Sequence, residues 1–211
     1  MAVFPAIFLE RESKMNADKP SIPGQLLLGH ALMIITGIMY SIYWTMGYYS
    51  NSSNTLAPII LFLFAASILI GFFGIFLFYV SSSILLKPNR SQNWPVIIGG
   101  IVLYALSLVI MDKVYERAFT TEIFFAFLWA ISEMNAIYSV YKAGCIGKGL
   151  FYLITGGVLV NTAVNLVCYR IHLELDGFDR FINGLIPYLV NILVMAGILM
   201  ILRVNRNPKE T

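Results

Sequence analysis

Ala57-Pro58-Ile59-Ile60-Leu61-Phe62-Leu63-Phe64-Ala65-Ala66-Ser67-Ile68-Leu69-Ile70-Gly71-Phe72-Phe73-Gly74-Ile75-Phe76-Leu77-Phe78-Tyr79-Val80 decides the fold class, because it holds no charged residue over the length a helix needs to cross a hydrocarbon core. Its apolar residues do not alternate at period two, so it reads as a helix and not as one strand of a barrel. Five further stretches follow the same rule, and the six predicted spans are Gln25 to Met46, Ala57 to Val80, Pro95 to Met111, Phe119 to Tyr141, Gly149 to Cys168 and Ile182 to Leu202. The expected fold is all-α: a polytopic transmembrane bundle of about six antiparallel helices.

Composition agrees. Of 211 residues, 59% are hydrophobic and only 12% charged, against about 25% charged in an ordinary soluble domain. A soluble core could not hide that much apolar surface. The connections are short, so there is a single membrane domain at 25–202, between an N-terminal tail at 1–24 and a basic C-terminal tail at 203–211. Met1 to Leu9 is apolar but has no basic residue before it and runs into Glu10, Arg11 and Glu12, which argues against a cleaved signal peptide. Met15 offers an alternative translation start.

Orientation follows from the basic residues. Arg11, Lys14, Lys19, Lys87, Arg90, Lys142, Lys148, Arg203, Arg206 and Lys209 fall on one side of the spans, and Lys113, Arg117, Arg170 and Arg180 on the other. The expectation is a cell-membrane protein with both termini cytoplasmic. Trp44 and Trp94, with Tyr40, Tyr43, Tyr48 and Tyr49, sit where an interfacial aromatic belt is expected.

Among the spans, Glu133 stands out. An ionisable group at that depth costs on the order of 3 kcal/mol to insert, so it requires a partner or a use and should face the protein interior. Ala126, Ala130 and Ala136 surround it with small side chains at helical spacing. By depth, its candidate partners are His30 in the first span, Tyr104 in the third and Thr155 in the fifth. Asn135 marks a second polar face of the same helix. Asn161 and Asn165, four residues apart, project from one face of the fifth span, with Asn191 at similar depth in the sixth. These residues form one candidate polar site, though amide contacts also serve as ordinary helix glue. Gly37, Ser41 and Thr45, and likewise Ser67, Gly71 and Gly74, form small-residue stripes suited to close packing. Pro187 either kinks the sixth span or starts it.

Outside the spans, His172, Glu174 and Asp176 would share a face of an extended loop and form a weak metal site of mixed ligands. Read as a helix, the same stretch pairs Arg170 with Glu174 and His172 with Asp176, and that reading is preferred because no established ligand spacing occurs. Cys145 and Cys168 lie a helix length apart, too far for a disulfide. No Walker loop, HExxH, GxSxG or dinucleotide-binding glycine pattern is present, and no basic stripe suggests nucleic acid. No cofactor is expected.

Three functions remain. The first is a transporter for a small solute or ion, or a membrane substrate-binding subunit, built around Glu133. The second is a scaffold or accessory protein that docks a membrane partner. The third is a membrane-embedded enzyme using Glu133 as acid or base, with Glu122, His172, Glu174, Asp176 or Asp179 as ligands. In size and span count the chain is similar to the substrate-binding membrane subunits of energy-coupling-factor vitamin transporters, an analogy of architecture without a shared motif.

Overall fold

The computed structural model describes residues 21–50, 57–86 and 120–206, and all regular structure within them is helical. Five helices result: α1 (Gly24–Tyr49), α2 (Ala57–Leu85), α3 (Thr120–Lys142), α4 (Lys148–His172) and α5 (Gly177–Val204). The sequence-predicted third span, with Trp94 and Tyr104, lies outside the described residues.

Four of these helices, α1, α2, α4 and α5, are long and apolar enough to cross a membrane. The remaining one, α3, is 23 residues long, but Glu133, Asn135, Ser132 and Ser139 dilute its apolar character. Helix boundaries at the far ends of α4 and α5 extend past the sequence expectation, to His172 instead of Cys168 and back to Gly177 instead of Ile182. The physical reason is that spans counted from apolarity stop at the first charges, whereas a backbone with helix-compatible residues continues into the interface.

Helix ends are closed by identifiable devices. Proline at 23 immediately precedes α1, where its missing N–H costs nothing. The end of α3 is a Schellman motif: the Cys145 amide bonds the Val140 carbonyl at 3.1 Å and the Gly144 amide bonds that of Tyr141 at 2.9 Å. That motif requires a left-handed residue, and Gly144 supplies it at φ 77°.

The helices close a ring in the order α1, α2, α3, α4, α5 and back to α1. Their directions follow from which residues meet. Gly29 faces Gly74 and Phe78 while Tyr40 and Tyr43 reach Phe64, so α1 and α2 are antiparallel. Gly37 meets Ile192 and Trp44 meets Gly184, so α5 is also antiparallel to α1. Asn161 meets Asn191 and Asn183 meets the carbonyl of Cys168, setting α4 against α5. On the α3 side, Ile123 clusters with Tyr169 and Tyr141 stacks on Phe151, so α3 opposes α4. It follows that α2 and α3, which are neighbours, run in the same direction. Leu86 and Thr120 therefore lie at opposite ends of the ring.

Lys142, Lys148, Arg203 and Arg206 gather at one end, here the basic end; Arg170, Glu174, Asp176, Asp179 and Arg180 lie at the far end. A continuous apolar core, including Leu26, Phe78, Ile137, Val158, Met195 and Leu202, fills the half of the ring nearer the basic end. Outward faces are equally apolar: Phe62, Leu69 and Leu193 are 69%, 69% and 72% exposed. Such a surface would aggregate in water and is what hydrocarbon solvates.

Most buried hydroxyls are satisfied locally. Ser41, Thr45, Ser81, Ser82, Ser139 and Thr162 each donate to the carbonyl four residues earlier, at 2.7 to 3.0 Å. These side chains therefore need no interhelical partner, and the polar groups that remain define the site.

Candidate functional site

His30 occupies the second turn of α1, where Gly29 beside it lets α2 approach so closely that the Phe78 ring packs against the imidazole at 4.8 Å between centroids. Glu133 reaches it from α3, across the ring. His30 Nε2 and Glu133 Oε1 are 2.9 Å apart and both side chains are fully buried. The other ring nitrogen, Nδ1, lies 2.8 Å from the Leu26 carbonyl. A carbonyl only accepts, so Nδ1 carries a hydrogen, and the remaining proton of the pair lies between Nε2 and Oε1. Wherever that proton resides, the pair is neutral overall, as its burial demands. The second carboxylate oxygen, Oε2, is buried and has no protein partner among the described residues.

Immediately farther from the basic end is a cavity of about 50 Å³, room for a few water molecules, since each needs roughly 10–15 Å³ measured this way. Helix α1 lines it with Met33, Thr36, Gly37 and Tyr40, and α3 with Phe125, Ala126 and Trp129. Asn161, Asn165 and Tyr169 of α4 and Pro187, Tyr188 and Asn191 of α5 complete the wall. No lining side chain is charged. Asn161 donates to the Asn191 Oδ1 at 3.2 Å, and Asn165 donates to the backbone carbonyl of Asn161 at 2.8 Å and to its side-chain Oδ1 at 3.4 Å, so the three amides form one connected group. The Thr36 hydroxyl and the Trp129 indole N–H, both on the wall and 3% and 2% exposed, have no protein partner among the described residues. Trp129 precedes Glu133 by one helical turn, and Met33 follows His30 by three residues, so the cavity begins about one turn along α1 and α3 from the ion pair.

The structure thus joins His30 to Glu133 directly and brings Asn161, Asn165 and Asn191 together on one wall. Thr155 makes no bond to Glu133; its hydroxyl is buried and has no partner among the described residues. The Asn135 Oδ1 is likewise buried and without a partner among the described residues. Pro187 lies inside α5, ten residues past its first residue, which rules out the helix-start reading; Gly177 begins the helix because the charged turn before Ile182 is already helical.

His172, Glu174 and Asp176 do not converge, and among the described residues no three His, Cys, Asp or Glu side chains do. Helix α4 runs through His172, whose ring packs against Trp44 at 5.1 Å, while Glu174 turns outward and pairs with Arg170 at 2.8 Å. The Glu122 side chain lies outside the described set. Both cysteines are free. Trp44 departs from a simple belt position: its indole donates to the Phe181 carbonyl at 3.1 Å and its ring fills the space over Gly184, because that glycine leaves a slot between α1 and α5. Tyr49 remains exposed at the far end.

No family model, curated protein or solved structure is similar to this chain.

The sequence reading missed Met33, Thr36, Tyr40, Trp129, Tyr169 and Tyr188 as cavity residues. A signal existed: His30, Met33, Gly37, Tyr40 and Trp44 recur at three- and four-residue intervals, as do Trp129 with Glu133 and Asn161 with Asn165 and Tyr169. Extending each polar residue along its own helical stripe leads to the cavity wall.

Proposed function

We propose that the chain crosses the cell membrane six times, with both termini cytoplasmic, and binds or moves a small solute or ion through its polar interior. The observation that carries this reading is the cavity walled by amides and unpartnered polar groups directly above a buried His30–Glu133 pair. Ordinary packing would fill such a space with aliphatic side chains, and intramembrane ionisable groups mark pathways by default. Six crossings are supported by the parallel directions of α2 and α3, since Leu86 and Thr120 lie at opposite ends and the segment joining them contains the apolar stretch Pro95 to Met111. The basic end, with Lys142, Lys148, Arg203 and Arg206, supports the orientation.

At about 50 Å³ the cavity suits water or a bare ion held by amide and hydroxyl oxygens; a larger solute requires the ring to open. The accessible test is thiol labelling. In a Cys145→Ser, Cys168→Ala background, Thr36→Cys should react with Ag⁺, a thiol-reactive cation small enough for the cavity, applied from one side of sealed vesicles. Failure to label from either side in a folded variant would remove the transport reading. It would favour the alternative, a scaffold or accessory protein for a membrane partner, which draws on the mutual bonding of Asn161, Asn165 and Asn191 as helix glue.

A further inference from the structure

Resting on that reading, we infer that the ion handled by this site is the proton, stored one per chain on the His30–Glu133 pair and exchanged through water in the adjoining cavity.

The hydrogen-bond inventory leads there. Of the four heteroatoms in the pair, His30 Nδ1 is committed to the Leu26 carbonyl and Nε2 and Oε1 to each other. Only Glu133 Oε2, fully buried, has no partner among the described residues. A neutral carboxyl tolerates a bare carbonyl oxygen far better than a carboxylate tolerates a bare anionic one. With Oε2 unsolvated, the shared proton therefore sits on Oε1 and is donated to neutral Nε2. When a water hydrogen-bonds Oε2, the carboxylate is stabilised and the proton shifts to Nε2, with no change in net charge. Release follows when the proton returns to the carboxyl and the carboxyl turns to bring its O–H to that water, which takes the proton and leaves neutral His30 and anionic Glu133; uptake reverses the step. No other atom changes its bonding.

The route follows from the two further orphans. Trp129 Nε1–H lies one turn from Glu133 and Thr36 Oγ on the facing helix, and both belong to the cavity wall. A water in the cavity can accept from the indole and be held by the hydroxyl, which gives it the two or more polar partners a buried water needs. The amides of Asn161, Asn165 and Asn191 continue the polar surface away from the pair.

Among the described residues nothing else competes for the charge. Helix α2 brings Phe78, and its nearby Ser81 and Ser82 are bonded to their own helix. Lys142 of α3, Lys148 of α4 and Arg203 of α5 lie exposed at the basic end, and Arg170, His172, Asp179 and Arg180 lie at the far end. Among the described residues, His30 is the one ionisable side chain paired with Glu133.

The test is a pH titration of the purified full chain in lipid nanodiscs, followed by infrared spectroscopy and by a pH-indicator count of protons released. A protonated-carboxyl C=O band should disappear as pH rises, shift in D₂O, and be missing in Glu133→Gln; the wild type should release one proton per chain more than that variant. Histidine ¹⁵N NMR of the wild type alone covers the case in which Glu133→Gln fails to fold: the resonance of His30 Nε2 should move with the same titration while Nδ1 stays protonated. A wild-type spectrum without a titrating carboxyl, or one superimposable on that of Glu133→Gln, overturns the inference. Proton release after a pH jump that is no slower in Thr36→Val and Trp129→Phe than in the wild type overturns the cavity route. Thr36→Cys labelling without carboxyl titration would leave the transport reading standing and remove this one.

Discussion

Gly29 of α1 and Gly74 of α2 lie backbone against backbone, so that a Cβ on either would sit 3.2 Å from the carbonyl oxygen of the other. A Cβ on Gly29 would also meet the Phe78 ring at 2.7 Å, and that ring is the wall of the His30 pocket. Gly29→Ala should therefore destabilise the chain by about 1–3 kcal/mol through overpacking. Gly197→Ala, where an added Cβ meets nothing, should be neutral or stabilising, since alanine is the better helix former by about 1 kcal/mol. Thermal unfolding in detergent with both variants checks the contrast; equal midpoints would contradict the close approach.

Breaking the buried pair from either side should be costly. His30→Leu or Glu133→Leu each strands a buried polar partner, at roughly 3–5 kcal/mol by analogy with soluble cores. The double variant should cost less than the sum, with a coupling of about 0.5–3 kcal/mol. Strict additivity in the four-way cycle would mean that the 2.9 Å contact contributes nothing to stability.

The amide group should behave hierarchically. Asn161 both donates to Asn191 and accepts from Asn165, whereas Asn165 makes bonds only to Asn161. Asn161→Leu, which removes the interhelical bond to Asn191, should cost about 0.6–1.7 kcal/mol, more than Asn165→Leu, whose bonds stay within α4. The reverse ranking in a chemical-denaturation series would contradict the connectivity.

Cys145, in the turn after α3, is the C″ residue of the Schellman motif and half-buried against the core. Burial raises its thiol pKa above the ordinary value, partly opposed by a backbone hydrogen bond. A raised thiol pKa means less thiolate at a given pH, so alkylation at neutral pH should be slower than for a free thiol and should accelerate only above the usual range. Labelling at the rate of a free thiol across the series would show the turn to be open.

In Trp44→Phe, the bond from the indole to the Phe181 carbonyl is lost while the ring still fills the slot over Gly184. The expected loss is about 1 kcal/mol, read as a lowered melting temperature; an unchanged midpoint would reduce Trp44 to a belt residue.

Much of this architecture was legible in the chain because hydrophobic length is a local property. The stretch Ala57 to Val80, with no charge to place, dictates a lipid-solvated helix whatever its neighbours do, and Glu133, Asn161, Asn165 and Asn191 announce themselves as groups that hydrocarbon rejects. The far-end helix limits at His172 and Gly177 were not legible from apolarity, because backbone hydrogen bonding continues past the point where side chains turn polar. Nor could depth alone choose His30 over Thr155 as the partner of Glu133. That choice depends on the rotation of α1 about its axis, which is set by Gly29 seating against Gly74 and by Gly37 seating against Ile192. By itself the sequence determined which segments prefer lipid and which side chains need a partner, because both follow from transfer free energies of single residues. Only the tertiary structure decided that the partners meet across a ring beside a cavity, because helix rotation and neighbour order are set by close packing between segments far apart in the chain.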